Sequence, residues 1–405
     1  MTNRYVEHPL DTDVSNPYSY RHTWAEVSLD AIAYNMQWFK HYAPASCKVM
    51  AVVKADGYGH GAVEIARTAI HAGADYLGVA FLDEALQLRS AGVKQPILLL
   101  GYTPPHAIQA AIKAHVTITV FSAVHLDDVM AGCERLGMHA TVHIKVDTGM
   151  TRLGVTSATE ALSLYRSIQS SPLVHLEGIF THFANADHED SSYTEQQYET
   201  FIRILKELDE QQVHIPLKHC CNSAAAIRFP NMHMDMVRIG IGLYGLCEPR
   251  DLNEFHGLNT FRPAMSLKTK ISALRRVAAN QSIGYGCTFR TNAESWIATI
   301  PLGYADGYSR LLSNRGTVLI HGYRAPVVGR VCMDQTMIDV SAIPEAAIGD
   351  EVLLFGQIGQ CLLPVNEISS LTDTINYEVV CSIANRVPRI YIEGGHIARI
   401  RNHFI

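Results

Sequence analysis

Nowhere in the 405-residue chain do apolar residues run together long enough to cross a bilayer, which takes about 18 or more, so no membrane-spanning helix is expected. Basic runs are also missing. Lys and Arg are scattered and the net charge is −6, which excludes the electrostatic footprint of a nucleic-acid binder. The first stretch, MTNRYVEHPLDTDVSNPYSYRHTW, has no apolar signal core, and the expected location is the cytoplasm. CxxC spacing is absent as well. The nine cysteines are odd in number and include the adjacent Cys220 and Cys221, which argues against a disulfide framework and a zinc ribbon and leaves mostly buried thiols. There is no internal repeat and no low-complexity segment.

What is present is an alternation. Up to about Gly245, short apolar strands trade places with stretches of helical spacing such as DEALQLRSAG and TEQQYETFIRILKELDEQQ. The strand candidates are 48–53, 76–80, 97–101, 116–121, 141–146, 176–181, 217–221 and 236–241. Eight such units predict a parallel (β/α)₈ barrel of the TIM type. An open doubly wound sheet is the rival, but no GxGxxG follows the first strand. From about Phe261 the texture changes to β-branched, alternating segments punctuated by Gly and Pro, which reads as a separate, mainly β C-terminal domain. A chain of this length is expected to form two domains. They are set at 28–256 and 257–405, with the change-over in the polar stretch 248–259 and the N-terminal strand around 22–28 expected to join the second domain.

The barrel is organised around MAVVKADGYGHG, Met50 to Gly61. A buried strand ends on Lys54, and a turn rich in glycine follows. An amine partly desolvated by apolar neighbours loses some preference for its charged form and can act as nucleophile or base. Strand-end lysines before glycine turns also occur in α/β proteins that bind nothing there. Barrel active sites lie where strands end, and the polar residues just past the proposed strands cluster there: Lys54, Lys145, Asp147, Arg152, His182, His219, Asn222, Ser223, Arg238 and Gly240. The last two strands end in CCNSAAA and RIGIG, loops that in barrels commonly form a phosphate site. A lysine amine, a phosphate cradle and an arginine suggest pyridoxal 5'-phosphate (PLP) held as a Schiff base. His182, Asp187, His188, Glu189 and Asp190 match no standard zinc pattern, so no metal is expected.

AVVKADGYGHG, KVDTGMTRLG, THFANAD, HCCNSAA, MVRIGIGLYG, SIGYGCTF, PLGYADGYSR, GRVCMDQTMIDV and NYEVVC…RVPR resemble the motifs of alanine racemase, in family order, from about Trp24 to Tyr391. The resemblance implies a PLP-binding barrel with a C-terminal β domain, a homodimer, and interconversion of L- and D-alanine for peptidoglycan or alanine catabolism. It also implies roles. Lys54 would carry the cofactor and act as base on one face of the substrate Cα, with Tyr285 on the other, since inverting a stereocentre takes a proton from one side and delivers one to the other. His182, through Arg238, would stabilise the Tyr285 phenolate. Arg238 would face the pyridine nitrogen and keep it unprotonated, which disfavours decarboxylation and transamination. Phosphate contacts would come from Tyr58, Ser223, the Gly240 and Ile241 amides, and Tyr377. Arg152 and Met333, beside Asp334, would take the substrate carboxylate. Lys145 resembles a lysine carried as a carbamate that holds Arg152. Tyr304 and Tyr377 would narrow the site to small side chains.

Plainer readings stand beside these. Tyr285 could be a buried aromatic in a β turn, Arg238 a salt-bridged or solvated residue, Lys145 half of a surface pair with Asp147, and Tyr304 and Tyr377 packing residues between domains. The pattern departs from the family at Cys221, where a smaller residue is usual, and at Thr151. Two other functions compete. A decarboxylase of the same barrel class would want an acid rather than Arg238 at the pyridine nitrogen, and a non-enzymatic PLP carrier would lack the segment from 260 onward.

Overall fold

The computed structural model describes residues 20–246 and 261–404. The expected change-over at 248–259, with the 256/257 boundary, lies outside them. The described residues divide into two compact units: 32–57 with 62–246 and 261–262, and 20–31 with 58–61 and 263–404.

Strand β1 (Thr23–Ser28) comes first and leads into the helix Leu29–Tyr42. Eight strands of the first unit follow: β2 (Lys48–Val52), β3 (Tyr76–Val79), β4 (Ile97–Leu99), β5 (Thr117–Val120), β6 (Ala140–Lys145), β7 (Val174–Phe180), β8 (Leu217–His219) and β9 (Met236–Ile239). Each falls at one of the eight expected positions. They pair in parallel in the order β8-β7-β6-β5-β4-β3-β2-β9. The seam between β8 and β9 is bridged by Asp235 N–H to Lys218 O and Arg238 N–H to Cys221 O, both 3.0 Å, so the sheet is a nearly closed barrel. Several of its strands read as largely apolar runs because both faces are covered; every residue of β3, β4, β5 and β9 is buried.

Helices between the strands begin and end where their caps dictate. Ser122 Oγ accepts the His125 amide at the start of 123–136, and Gly137, at φ 61°, closes its end in the left-handed region. Asn222 accepts the Ala225 amide at the start of the short helix Ser223–Arg228.

The second unit is built mainly of β-strands, as expected. Its larger sheet runs 323–326, 317–320, 351–358, 265–270, β1, 389–393, 396–401. The N-terminal strand sits in its middle, antiparallel to 265–270 and parallel to 389–393. A three-stranded sheet (273–277, 295–300, 336–339) and the hairpin 282–283/289–290 carry the loops of interest. Sequence spacing does not foretell the helix Asn376–Cys381, which bears Tyr377.

Candidate active site

Lys54 follows the end of β2, and the chain then does something uncommon. Ala55, Asp56, Gly57, Tyr58 and Gly59 all have positive φ, between 51° and 79°. Left-handed backbone costs about 1–2 kcal/mol for each non-glycine residue, so three of them in one turn represent concentrated strain of the kind found at functional sites. Hydrogen bonds offset it. Gly57 N–H donates to Val53 O, the Ala62 amide to Asp56 Oδ1 at 3.0 Å, and the Ala55 amide to Glu84 Oε1 at 2.6 Å. Glu84 Oε2 also accepts from the Ala80 and Phe81 amides, tying the loop after β3 to the Lys54 turn. Glu84 escapes sequence reading because it looks like an ordinary first-turn acid of a helix.

In β9, the strand paired directly with β2, stands Arg238, in register with Met50. It is buried and donates to His219 Nδ1 (3.0 Å), His182 Nδ1 (2.9 Å) and the Thr181 and Cys220 carbonyls (2.9 Å each). Among the described residues no carboxylate oxygen bonds it, which removes the salt-bridged and solvated alternatives. Burial brings its pKa down to about 10, and the guanidinium stays charged at neutral pH. His182 is driven well below the ordinary imidazole range, first by burial and then by Arg238, Arg152, Lys145 and Lys54. It is therefore neutral. With Nδ1 accepting from Arg238, its proton sits on Nε2.

Lys145 is buried at the end of β6 rather than paired on the surface. Its Nζ donates to Val146 O at 2.6 Å and lies 5.5 Å from the centre of the Phe180 ring. Asp147, its supposed partner, accepts instead from the Gly149, Thr151 and Arg152 amides and so shapes the loop that presents Arg152. Burial, with Arg238 beside it, brings the Lys145 amine down to about 7. Ser223 Oγ accepts the amides of Gly240 (2.9 Å) and Gly242 (3.2 Å), which joins the two loops expected to cradle phosphate. Ile241 opens the 3₁₀ turn that follows. The departure at Cys221 is absorbed by burial, its thiol reaching Met232 O.

The second unit holds the remaining expected residues. Tyr58 is buried and its ring lies 6.2 Å from that of Tyr377. Three loops come together elsewhere in it. Gly284 precedes the Tyr285–Cys287 turn, and a Cβ there would meet Arg330 N at 3.2 Å. Tyr304 and Ala305 donate their amides to Cys332 O and Met333 O, both 3.0 Å. A Cβ at Gly303 would fall 2.3 Å from Cys332 O, so that approach requires glycine. Arg386 spans Asp306 and Asp334 and fixes the Met333 turn. Tyr285, Met333 and Tyr304 are exposed by 73 %, 53 % and 42 %. Tyr285 is thus not a buried aromatic.

The loop holding Asp187 to Asp190 is organised by Arg228, whose guanidinium donates to the Ala186, His188 and Glu189 carbonyls. Among the described residues no three His, Cys, Asp or Glu side chains stand together as metal ligands. No helix of those residues is long and apolar enough to cross a membrane.

Comparison with known proteins bears on what these two groups of residues are for. Residues 27–248 match the family described as "Alanine racemase, N-terminal domain", and residues 264–391 match "Alanine racemase, C-terminal domain". The chain belongs to the alanine racemase family. It is 50% identical over 374 residues to alanine racemase 2 of Oceanobacillus iheyensis, spanning 92% of this chain and 94% of that one. With the alanine racemase of Desulfovibrio desulfuricans the identity is 47% over 373 residues, 92% of this chain and 99% of the relative. The crystal structure of alanine racemase from Bacillus anthracis with bound L-Ala-P superimposes with a TM-score of 0.89 at 41% identity, covering 95% and 98% of the two chains. As a member of the alanine racemase family the protein is an isomerase, a PLP-dependent racemase.

The donor set fits that cofactor. Lys54, Lys145, Arg152 and Arg238 all act on His182 through their positive charge, and the neighbouring Asp147 carboxylate is taken up by loop amides. Such a mouth favours a ligand carrying phosphate and carboxylate groups.

Proposed function

We propose that the chain interconverts L- and D-alanine, with Lys54 and Tyr285 exchanging protons on opposite faces of the substrate Cα. Arg238 is the observation that carries the reading. A buried guanidinium bonded to imidazoles and carbonyls, with no carboxylate bonded to it among the described residues, suits racemisation and argues against the decarboxylase. The β unit argues against a bare carrier. PLP held through Lys54 would supply the electron sink that makes the substrate α-proton acidic.

Every other step falls to side chains. Lys54 Nζ stands at the end of a buried strand, where a neutral amine can accept a proton. Ser223, the Gly240 and Ile241 amides, Tyr58 and Tyr377 would hold phosphate, Ser223 turning from the amides it now accepts. Arg152 and Met333 would take the substrate carboxylate, with Asp334 held at the Met333 turn by Arg386. His182 would offer its Nε2–H to the Tyr285 oxygen and stabilise the phenolate. Tyr304 and Tyr377 would exclude large side chains.

Tyr285 and Met333 would serve the barrel of a partner subunit. Their exposure supports this, because a catalytic phenol open to water would be poorly placed for proton transfer, whereas a two-fold dimer would cover it. The D-alanine formed would supply peptidoglycan, and the reverse reaction would serve alanine catabolism. Eight free cysteines among the described residues support a cytoplasmic location.

Lys145 fits a carbamate. An amine at about 7 with two arginines acting on it is nucleophilic toward carbon dioxide, and the product anion would pair with Arg152. The amine forms an N–C bond with carbon dioxide and releases one proton. With ¹³C-labelled bicarbonate, a carbamate resonance should appear in the wild type and be missing from Lys145→Arg. Equal spectra would exclude the modification.

The function itself is tested by incubating purified protein with a panel of L-amino acids and separating the enantiomers. Alanine should racemise fastest. Preference for a bulkier amino acid would overturn the proposed gate, and no racemisation at all would overturn the reading.

A further inference from the structure

Behind Arg238 the barrel interior contains a line of polar groups that the proton transfers do not use. Arg238 Nη1 meets His219 Nδ1 at 3.0 Å, His219 Nε2 meets His143 Nδ1 at 3.0 Å, His143 Nε2 meets Glu177 Oε2 at 2.9 Å, and Tyr76 donates to Glu177 Oε1 at 2.9 Å. Both histidines are wholly buried. Polar groups in a barrel core are costly unless every one is matched, and here the matching runs one way. An arginine can only donate, so His219 Nδ1 carries no proton and Nε2 must. His143 then accepts at Nδ1 and donates from Nε2, and the line can end only on an acceptor.

Local geometry is arranged around that acceptor. The register between β6 and β7 slips at Val142/His143, so His143 pairs with Gly178 and Glu177 becomes the extra residue of a bulge. At Gly178 a Cβ would lie 2.6 Å from the His143 ring, so the imidazole occupies space that glycine alone leaves.

We infer that Glu177 is a positioning residue for the racemase: through His143 and His219 it fixes the direction of the hydrogen bonds behind Arg238 and so holds the guanidinium in place toward the cofactor ring. The inference rests on the proposed role of Arg238. Neutral imidazoles agree with it: burial first, and then Arg238, carry His219 well below the ordinary range, and burial lowers His143. The His143–Glu177 contact is accordingly a hydrogen bond from a neutral ring and not an ion pair. Burial pushes the Glu177 carboxyl up, but the hydrogen bonds from His143 and Tyr76 bring it below the usual carboxylate value, which leaves it an acceptor.

The test is ¹⁵N spectroscopy of histidine-labelled holoenzyme together with kinetics. In the wild type both His143 and His219 should be neutral Nε2–H tautomers. Glu177→Leu removes the final acceptor; at least one ring should then move its proton to Nδ1, and kcat should fall about 10- to 100-fold with KM changed less than about threefold. Glu177→Gln retains an acceptor oxygen and should keep both tautomers and kcat within about threefold. Tyr76→Phe should do the same. An Nδ1–H tautomer on either ring of the wild type overturns the inference, whether or not Glu177→Leu folds. So does a folded Glu177→Leu with wild-type tautomers and kcat. Wild-type protein that racemises alanine with the wrong tautomers refutes this inference alone; wild-type protein that does not racemise refutes the catalytic reading, with the tautomers still readable in the same sample.

Discussion

Lys54→Ala should lose racemisation in both directions by at least about 10⁴-fold, because in the proposed mechanism one amine would both hold the cofactor and move a proton. Neither task has a substitute nearby. Lys145 is turned to Val146 O and flanked by arginines, and Arg152 and Arg238 cannot give up a proton at working pH. The turn after Lys54, with its left-handed residues secured by Asp56 and Glu84, keeps the amine at one place on the barrel rim. The variant should retain its fold, since the side chain removed is not part of those bonds. Two measurements check the prediction. Kinetics with either enantiomer should show the loss, and borohydride reduction of the wild type followed by peptide mapping should place the pyridoxyl group on Lys54. A label on another lysine, or a variant active within tenfold of the wild type, would remove Lys54 from the mechanism.

Tyr285→Phe carries the second large effect, and its signature is asymmetry. The change removes one oxygen from an exposed side chain and leaves its ring, the glycines on either side and the barrel mouth in place, so cofactor binding should be retained. Racemisation should fall about 10²- to 10⁴-fold, the range for losing a general acid or base. Proton removal from L-alanine should suffer most. With D-alanine in heavy water, exchange of the α-proton through Lys54 should persist although no L-alanine forms. Equal loss of exchange from both enantiomers, with cofactor still bound, would contradict the division of labour between the two residues.

The barrel was legible because its strands are short apolar runs ending on polar residues, and each of β2 to β9 lies where such a run was read. Lys54, His182 and Ser223 were legible for the same reason, as polar breaks just past apolar strands, and Arg238 as a charged residue set within an apolar run. Other features depend on contacts that sequence order conceals. Glu84 is one, acting on a turn about thirty residues earlier. His143 and Glu177 sit inside segments that otherwise read as strand, where a buried His and a Glu were the available signal. The left-handed conformation of Ala55, Asp56 and Tyr58 could not be read from residue type, since none of the three is glycine. Burial decided Lys145: the sequence allowed a surface pair with Asp147, and the fold instead places the amine on a barrel strand and turns Asp147 to its own loop.

The central claim is that the working site unites Lys54 of one subunit with Tyr285 of its partner, and mixing two inactive variants tests it most directly. Lys54→Ala and Tyr285→Phe would be unfolded together in equal amounts and refolded, with wild type treated alongside. Random pairing makes about half the dimers mixed, and in each of these one site collects both defects while the other has both residues intact, so activity should return to roughly a quarter of the wild-type control. Sites built within one chain would each keep a defect. Stable mixed dimers with no activity above either parent would contradict the account.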